Sequence, residues 1–121
     1  MITQFNTLTK HLFDNQSISA SGSATSDGWD IKDTRGLFSL QYFCGGDGTL
    51  QLGYALSNDG TNYVLPTTAA SIETGIIKTS GVDGDGRDIV IFSPEFSRYM
   101  QIFAQETSGD ACTLDLWIAT Q

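Results

Sequence analysis

The sequence predicts an all-β protein: a sandwich of two antiparallel sheets, either a jelly roll or an immunoglobulin-like Greek key. About eight short apolar segments are separated by turn sequences every eight to twelve residues or so, a spacing typical of such sandwiches. Several segments also alternate apolar and polar residues, which is the period of a half-buried strand. Thirteen glycines among 121 residues suit many tight turns. A small closed barrel is the alternative architecture.

The clearest element is a meander between residues 36 and 63. Residues 49–56 place four large apolar side chains on one face: Leu50, Leu52, Tyr54 and Leu56. The preceding strand, residues 37–44, ends in a glycine-rich hairpin turn at residues 45–48, and residues 57–60 form a second turn of hairpin type. Because one face of the meander is apolar, it must pack against a second sheet.

The remaining segments supply the other strands. Residues 16–26 alternate small polar residues with apolar ones and predict an edge strand, and residues 71–78 predict a strand with a bulge at Gly75. The nearly continuous apolar run at residues 88–93 predicts a central strand buried on both sides. Residues 98–105 and 111–120 predict the last two strands, with Trp117 on the face opposite the core.

The sequence predicts an N-terminal arm at residues 1–15 and a single β-sandwich domain at residues 16–121. The apolar residues of the arm lie near helical spacing, but its threonines and asparagine are weak helix formers. We therefore expect an extended arm that leads into a strand, with a short helix as the alternative. Phe5, Leu8 and Phe13 are candidate interaction residues, together with Trp117. Packing of the arm on its own domain is the competing interpretation.

The charge and composition of the chain argue against several classes of binding partner. The formal net charge is −8, from six basic and fourteen acidic side chains. Nucleic acids and anionic membranes both select basic surfaces, so neither is an expected partner. The sequence contains no apolar run long enough to span a membrane and no signal-like N-terminus. Cys44 and Cys112 are either two buried apolar residues or one disulfide, and the sequence leaves both alternatives open.

Residues with catalytic or ligand chemistry are sparse. The single histidine, His11, argues against a catalytic triad and against a zinc site built on paired histidines. The loop at residues 82–88 carries Asp83, Asp85 and Asp88, whose oxygens are candidate Ca²⁺ ligands. Because Asp-Gly sequences are also common in turns, a plain loop is the alternative. No other cofactor is expected, and Trp29 is expected to close one end of the core.

Several segments together resemble small virion proteins of tailed phages and prophages. They are Leu12-Phe-Asp14, residues 17–26, Phe38-Ser-Leu-Gln41, Gly48-Thr-Leu-Gln-Leu52, Leu56-Ser-Asn-Asp-Gly-Thr-Asn-Tyr63, Phe92-Ser-Pro-Glu95, Arg98-Tyr-Met-Gln-Ile102 and Trp117-Ile-Ala-Thr-Gln121. The resemblance implies a β-sandwich subunit of a capsid or tail, made in the host cytoplasm and located in the virion. It implies other virion proteins and further copies of the chain as partners, and it carries no active site.

Two functions are therefore expected from the sequence. The first is a non-enzymatic virion subunit that acts through protein–protein contacts, as a capsid decoration, head-fibre-like or tail accessory protein. The second is a module that binds a carbohydrate or a host surface, with Trp29, Trp117, Tyr42 or Tyr63 as a stacking platform.

Overall fold

The computed structural model describes residues 8–31, 34–66 and 71–121, and within these ranges it confirms the all-β sandwich. Nine antiparallel strands form two sheets. Sheet A contains, in spatial order, β1 (Leu8–Ile18), β9 (Cys112–Thr120), β4 (Phe38–Gly46) and β7 (Arg87–Phe92). Sheet B contains β2 (Ser23–Thr25), β8 (Tyr99–Glu106), β5 (Leu50–Ser57) and β6 (Ser71–Ile76), with β3 (Trp29–Asp30) paired to β8. The described ranges contain no helix that could cross a membrane.

The core lies between the two sheets and is formed by the alternating residues of their inner strands. Leu40, Leu52, Ile102 and Leu116 are among its fully buried members. The predicted apolar face of residues 49–56 is confirmed, since all four of its large side chains are buried. Ala55, on the other face of β5, is also buried. Trp29 is buried in the same core, as expected.

The prediction of a doubly buried central strand at residues 88–93 is wrong. β7 lies at the edge of sheet A, where it pairs with β4. Val90 and Phe92 pack against the core, whereas Ile89 and Ile91 point outward and are 59% and 78% exposed. An unbroken apolar run does not distinguish a strand that is buried on both faces from an edge strand whose outer face is also apolar.

The N-terminal segment is part of the sandwich from Leu8 onward. β1 continues through residue 18, so the expected boundary between arm and domain falls inside one strand. β1 pairs with β9 along its length, with register shifts between His11 and Phe13 and between Phe13 and Gln16. The single edge strand expected at residues 16–26 is instead divided between the two sheets: the end of β1 belongs to sheet A, and β2 belongs to sheet B.

Gly75 lies at a bulge, as the sequence predicted. Glu73 of β6 pairs with Leu52 of β5, and Ile76 pairs with Leu50. The two residues between them on β6, Thr74 and Gly75, therefore lie opposite the single residue Gln51 of β5. Gly75 has φ +70°, a left-handed conformation that glycine adopts without steric cost.

Candidate functional site

The most distinctive surface of the molecule is the side of sheet A that faces away from the core. The strand registers place its side chains in three rows that run across the sheet. The rows are Thr9, Ala119, Ser39 and Ile91; then His11, Trp117, Gln41 and Ile89; and then Asp115, Phe43 and Arg87. We call these eleven residues the outer face of sheet A.

Large apolar side chains occupy much of this face. Ile89, Ile91, Phe43 and Trp117 are all exposed, and so is Leu37, which comes immediately before β4. The Arg87 guanidinium lies 4.2 Å from the centre of the Phe43 ring, so its charge sits over an aromatic surface. A group of neighbouring exposed apolar side chains on one sheet face is typical of a surface that contacts another molecule rather than of one that faces only solvent.

A polar cluster borders the apolar part of the face at the β1–β9 seam. The His11 and Trp117 rings stack with their centres 4.1 Å apart and their planes 5° from parallel. His11 Nε2 lies 2.6 Å from Asp115 Oδ1, and the Asn15 amide donates to the same oxygen at 3.3 Å. A His–Asp pair resembles part of a catalytic triad. In the described residues, however, no serine, threonine or cysteine hydrogen-bonds to His11 to act as a nucleophile.

The four expected interaction residues have different environments. Trp117 lies on the outer face of sheet A, opposite the core as predicted. Leu8 is exposed at the start of β1. Phe13 is instead buried in the core, because the register shift after His11 turns its side chain inward against Leu116 of β9. Phe5 lies outside the described residues.

The three candidate Ca²⁺ ligands do not converge. Asp85 accepts hydrogen bonds from the Arg87 amide and from the Arg87 guanidinium, at 3.1 and 3.2 Å. Asp88 accepts from the Ile89 amide, and Asp83 is exposed. Among the described side chains, the one group of three possible ligands within mutual reach is elsewhere, at His11, Asp14 and Asp115. Asp14 and Asp115 are 101 positions apart in the sequence, and only the pairing of β1 with β9 reveals their proximity.

Sequence reasoning also missed the role of Glu106. Its buried carboxylate accepts six hydrogen bonds, from the Ser108 hydroxyl and from five backbone amides, those of Ser21, Thr49, Ser108, Gly109 and Asp110. Burial raises the pKa of this carboxyl, but the hydrogen bonds from Ser108, Ser21 and Thr49 outweigh burial and hold the pKa well below its usual range. One side chain thus joins three loops at one end of the sandwich. Every contact is structural, so the group is not positioned as a catalytic acid.

Two open clefts of about 490 and 460 Å³ lie at a loop end of the sandwich. The side chain of Phe96, 101% exposed, stands between them and lines both. The described residues that line these clefts include neither histidine nor cysteine. They offer hydroxyls and carboxylates without the paired base that nucleophilic catalysis requires.

The two cysteines are free and buried on neighbouring strands. Burial, with a smaller contribution from nearby Cys112, raises the pKa of the Cys44 thiol to about 11. Burial also raises the pKa of Cys112. Both therefore behave as small apolar core residues rather than as reactive thiols.

Neither a protein-family model nor a curated protein sequence matches the chain. Solved structures with a similar fold include the PBSX exported protein XepA, with a TM-score of 0.58 and 12% identity over 93% of this chain. They also include VP2 of an infectious bursal disease virus subviral particle, with a TM-score of 0.54 and 12% identity over 95% of this chain. This chain spans about a third of each, 36% of XepA and 32% of VP2.

A third similar structure is the C-terminal CBM6 of LamC, a marine laminarinase from Zobellia galactanivorans. It has a TM-score of 0.52 and 14% identity, and the match covers 96% of this chain and 100% of that one. At these identities the likeness establishes a shared β-sandwich fold.

Proposed function

We propose that this chain is a non-enzymatic structural subunit of a phage virion, a capsid decoration, head-fibre-like or tail accessory protein. The observation that carries the proposal is the outer face of sheet A. It presents four exposed apolar side chains, Phe43, Ile89, Ile91 and Trp117, on one face of a four-stranded sheet. A monomer that remained free in solution would gain nothing from so much exposed apolar surface, whereas a neighbouring subunit would bury it favourably.

The fold supports the same proposal. The strand order β1-β9-β4-β7 facing β2-β8-β5-β6 is consistent with a jelly roll, an architecture common among viral capsid domains. Among the similar structures, VP2 belongs to a viral particle and XepA is a PBSX exported protein. The partners proposed for the outer face are therefore other virion proteins and further copies of this chain.

The chemistry of the described residues also favours a non-enzymatic role. His11 is engaged by Asp115 and Trp117, and no described serine, threonine or cysteine hydrogen-bonds to it. The buried Glu106 carboxylate is fully occupied by structural hydrogen bonds. The net charge of −8 favours solubility of a protein displayed in many copies.

The test is to purify particles by density gradient from the host that carries this gene and to count this chain by quantitative mass spectrometry. A structural subunit is present at a fixed copy number that remains constant through repeated gradients and salt washes. A chain that is absent from the particles, or that is removed by mild washing, would contradict the proposal.

A second candidate function is carbohydrate binding, and one observation favours it. Trp117 is exposed on the outer face of sheet A, its ring stacks on the His11 ring, and Gln41 and Asp115 occupy neighbouring positions. An exposed aromatic ring beside polar side chains can stack on a sugar ring. The similar CBM6 domain shows that a related fold occurs in a carbohydrate-binding module. Glycan-array binding that is lost in Trp117→Ala would favour this function over the first.

A further inference from the structure

The geometry points to a binding site for a divalent transition metal ion at the β1–β9 seam, formed by His11, Asp14 and Asp115. Each residue offers one ligand atom, and the three atoms lie within 4.8 Å of one another. Two residues come from β1 and the third from β9, so an ion bound there would tie the first strand of sheet A to the last. This inference does not depend on the proposed virion role.

The fold brings these side chains together in a way that strand alternation alone would not. His11 pairs with Trp117, and the two register shifts of β1 follow immediately. Asn15 adopts φ +49°, and its amide donates to Asp115 Oδ1. As a result, His11 and Asp14, which are three residues apart, reach the same carboxylate on β9.

The electrostatics of the cluster favour a cation. Two carboxylates converge there with one imidazole, and no described lysine or arginine forms an ion pair with either. By contrast, Asp30, Asp47 and Asp85 each have a basic partner. Converging carboxylates repel each other, and a bound divalent cation would remove that repulsion.

The donor set selects the class of ion. Ca²⁺ and Mg²⁺ prefer oxygen ligands only, whereas imidazole nitrogen with carboxylate oxygen suits Zn²⁺ and related transition metals. His11 Nε2 and Asp115 Oδ1 are now 2.6 Å apart, at hydrogen-bond distance. With tetrahedral metal–ligand bonds of about 2.0–2.2 Å the two atoms would separate to about 3.4 Å, which a small side-chain movement can supply. Three protein ligands leave at least one coordination position for water or for a ligand from a partner.

The Trp117 ring provides an internal reporter. Because it stacks on His11, an ion bound to that imidazole changes the environment of the indole and therefore its fluorescence. Trp29 is buried in the core and should not respond.

The experiment uses tag-free full-length protein, stripped with chelator and titrated with Zn²⁺ by calorimetry and by tryptophan fluorescence. The matched variants are Asp14→Asn and Asp83→Asn, which each remove one exposed carboxylate and change the net charge equally. Neither carboxylate has a hydrogen-bond partner in the described structure, so both variants should fold.

We expect one Zn²⁺ per chain, a fluorescence change that Ca²⁺ does not produce, and a higher unfolding temperature with Zn²⁺. Asp14→Asn should weaken Zn²⁺ binding by at least about tenfold, and Asp83→Asn should leave it within about twofold of the parent. Equal affinity in the two variants would overturn the assignment, as would binding no tighter than millimolar in the parent chain. A Zn²⁺-dependent fluorescence change retained in Asp14→Asn would likewise contradict it.

Discussion

Replacing Gly86 by alanine should destabilise the sandwich far more than the same change at Gly109. Both glycines have left-handed backbones, with φ +82° and +91°, so both variants incur roughly 1–2 kcal/mol for placing a side chain there. Around Gly109 an added Cβ meets nothing within 4 Å. At Gly86 it would lie 2.3 Å from the Cys44 carbonyl oxygen and 3.0 Å from that of Lys78.

Those two contacts are with backbone atoms, which cannot swing aside as a flexible side chain could. The Cys44 amide also donates to the Gly86 carbonyl at 2.9 Å, so relief of the clash must disturb the join between β4 and β7. Overpacking of this kind costs about 1–3 kcal/mol, and we therefore expect a total loss of about 2–5 kcal/mol for Gly86→Ala against about 1–2 kcal/mol for Gly109→Ala. A loss of that size is a large part of the stability of a typical domain.

Urea unfolding under reducing conditions, followed by tryptophan fluorescence and by circular dichroism, measures the difference. The two midpoints should separate clearly while the slopes with urea stay similar. Equal free energies of unfolding for the two variants would refute the reasoning, because they would mean that β7 does not approach β4 as closely at Gly86 as the structure has it.

Three further outcomes are expected. Replacing Ile89 and Ile91 together by serine should weaken binding to particles that lack the chain by about 30-fold or more, since each substitution loses roughly 1 kcal/mol of apolar burial. A Val82→Ser control should bind normally in the same co-sedimentation assay. Equal co-sedimentation of the double variant and the control would contradict the role of the outer face. The pKa of Glu106 is lower in the folded chain than the unfolded value of about 4.3, so the carboxylate stabilises the fold above that pH and this stabilisation is lost as pH falls towards the folded pKa. Acid unfolding curves should therefore show a steeper loss of stability below about pH 5 for the parent than for Glu106→Gln. Parallel curves for the two proteins would contradict this. Burial raises the pKa of Cys44 to about 11 and also raises the pKa of Cys112, so both buried thiols should react with a thiol reagent at pH 8 only after unfolding. Rapid labelling of the folded chain would show instead that they are accessible.

The sequence predicted the fold where its pattern corresponds to one physical cause. In residues 49–56 the alternation reflects a strand with one face in the core, and the structure has the same four apolar side chains buried. Gly75 was identified because a glycine within a strand commonly accompanies a bulge, and the register of β6 contains one there. Both features depend only on local spacing along the chain.

Features that depend on which strands are neighbours could not be predicted from local spacing along the chain. The apolar run at residues 88–93 gives the same pattern whether β7 is central or at an edge, and the exposure of Ile89 and Ile91 follows only from its edge position. Phe13 is turned inward by a register shift against β9 that its own segment does not encode.

The candidate metal cluster and the buried carboxylate were missed for the same reason. Asp14 and Asp115 come from opposite ends of the chain, and the five amides that surround Glu106 are backbone groups of three loops, which have no signature in side-chain pattern. The turn aspartates were the more visible candidates in the sequence, yet Asp83, Asp85 and Asp88 do not converge in the fold.

Hydroxyl-radical footprinting of the chain, free and on purified particles, tests most directly whether it acts through the outer face of sheet A. Trp117 and Phe43 should be oxidised in the free chain and protected on the particle. Phe96, fully exposed at the loop end, provides the internal control and should be oxidised more nearly equally in both states. Oxidation of Trp117 and Phe43 that is unchanged on the particle would contradict the account.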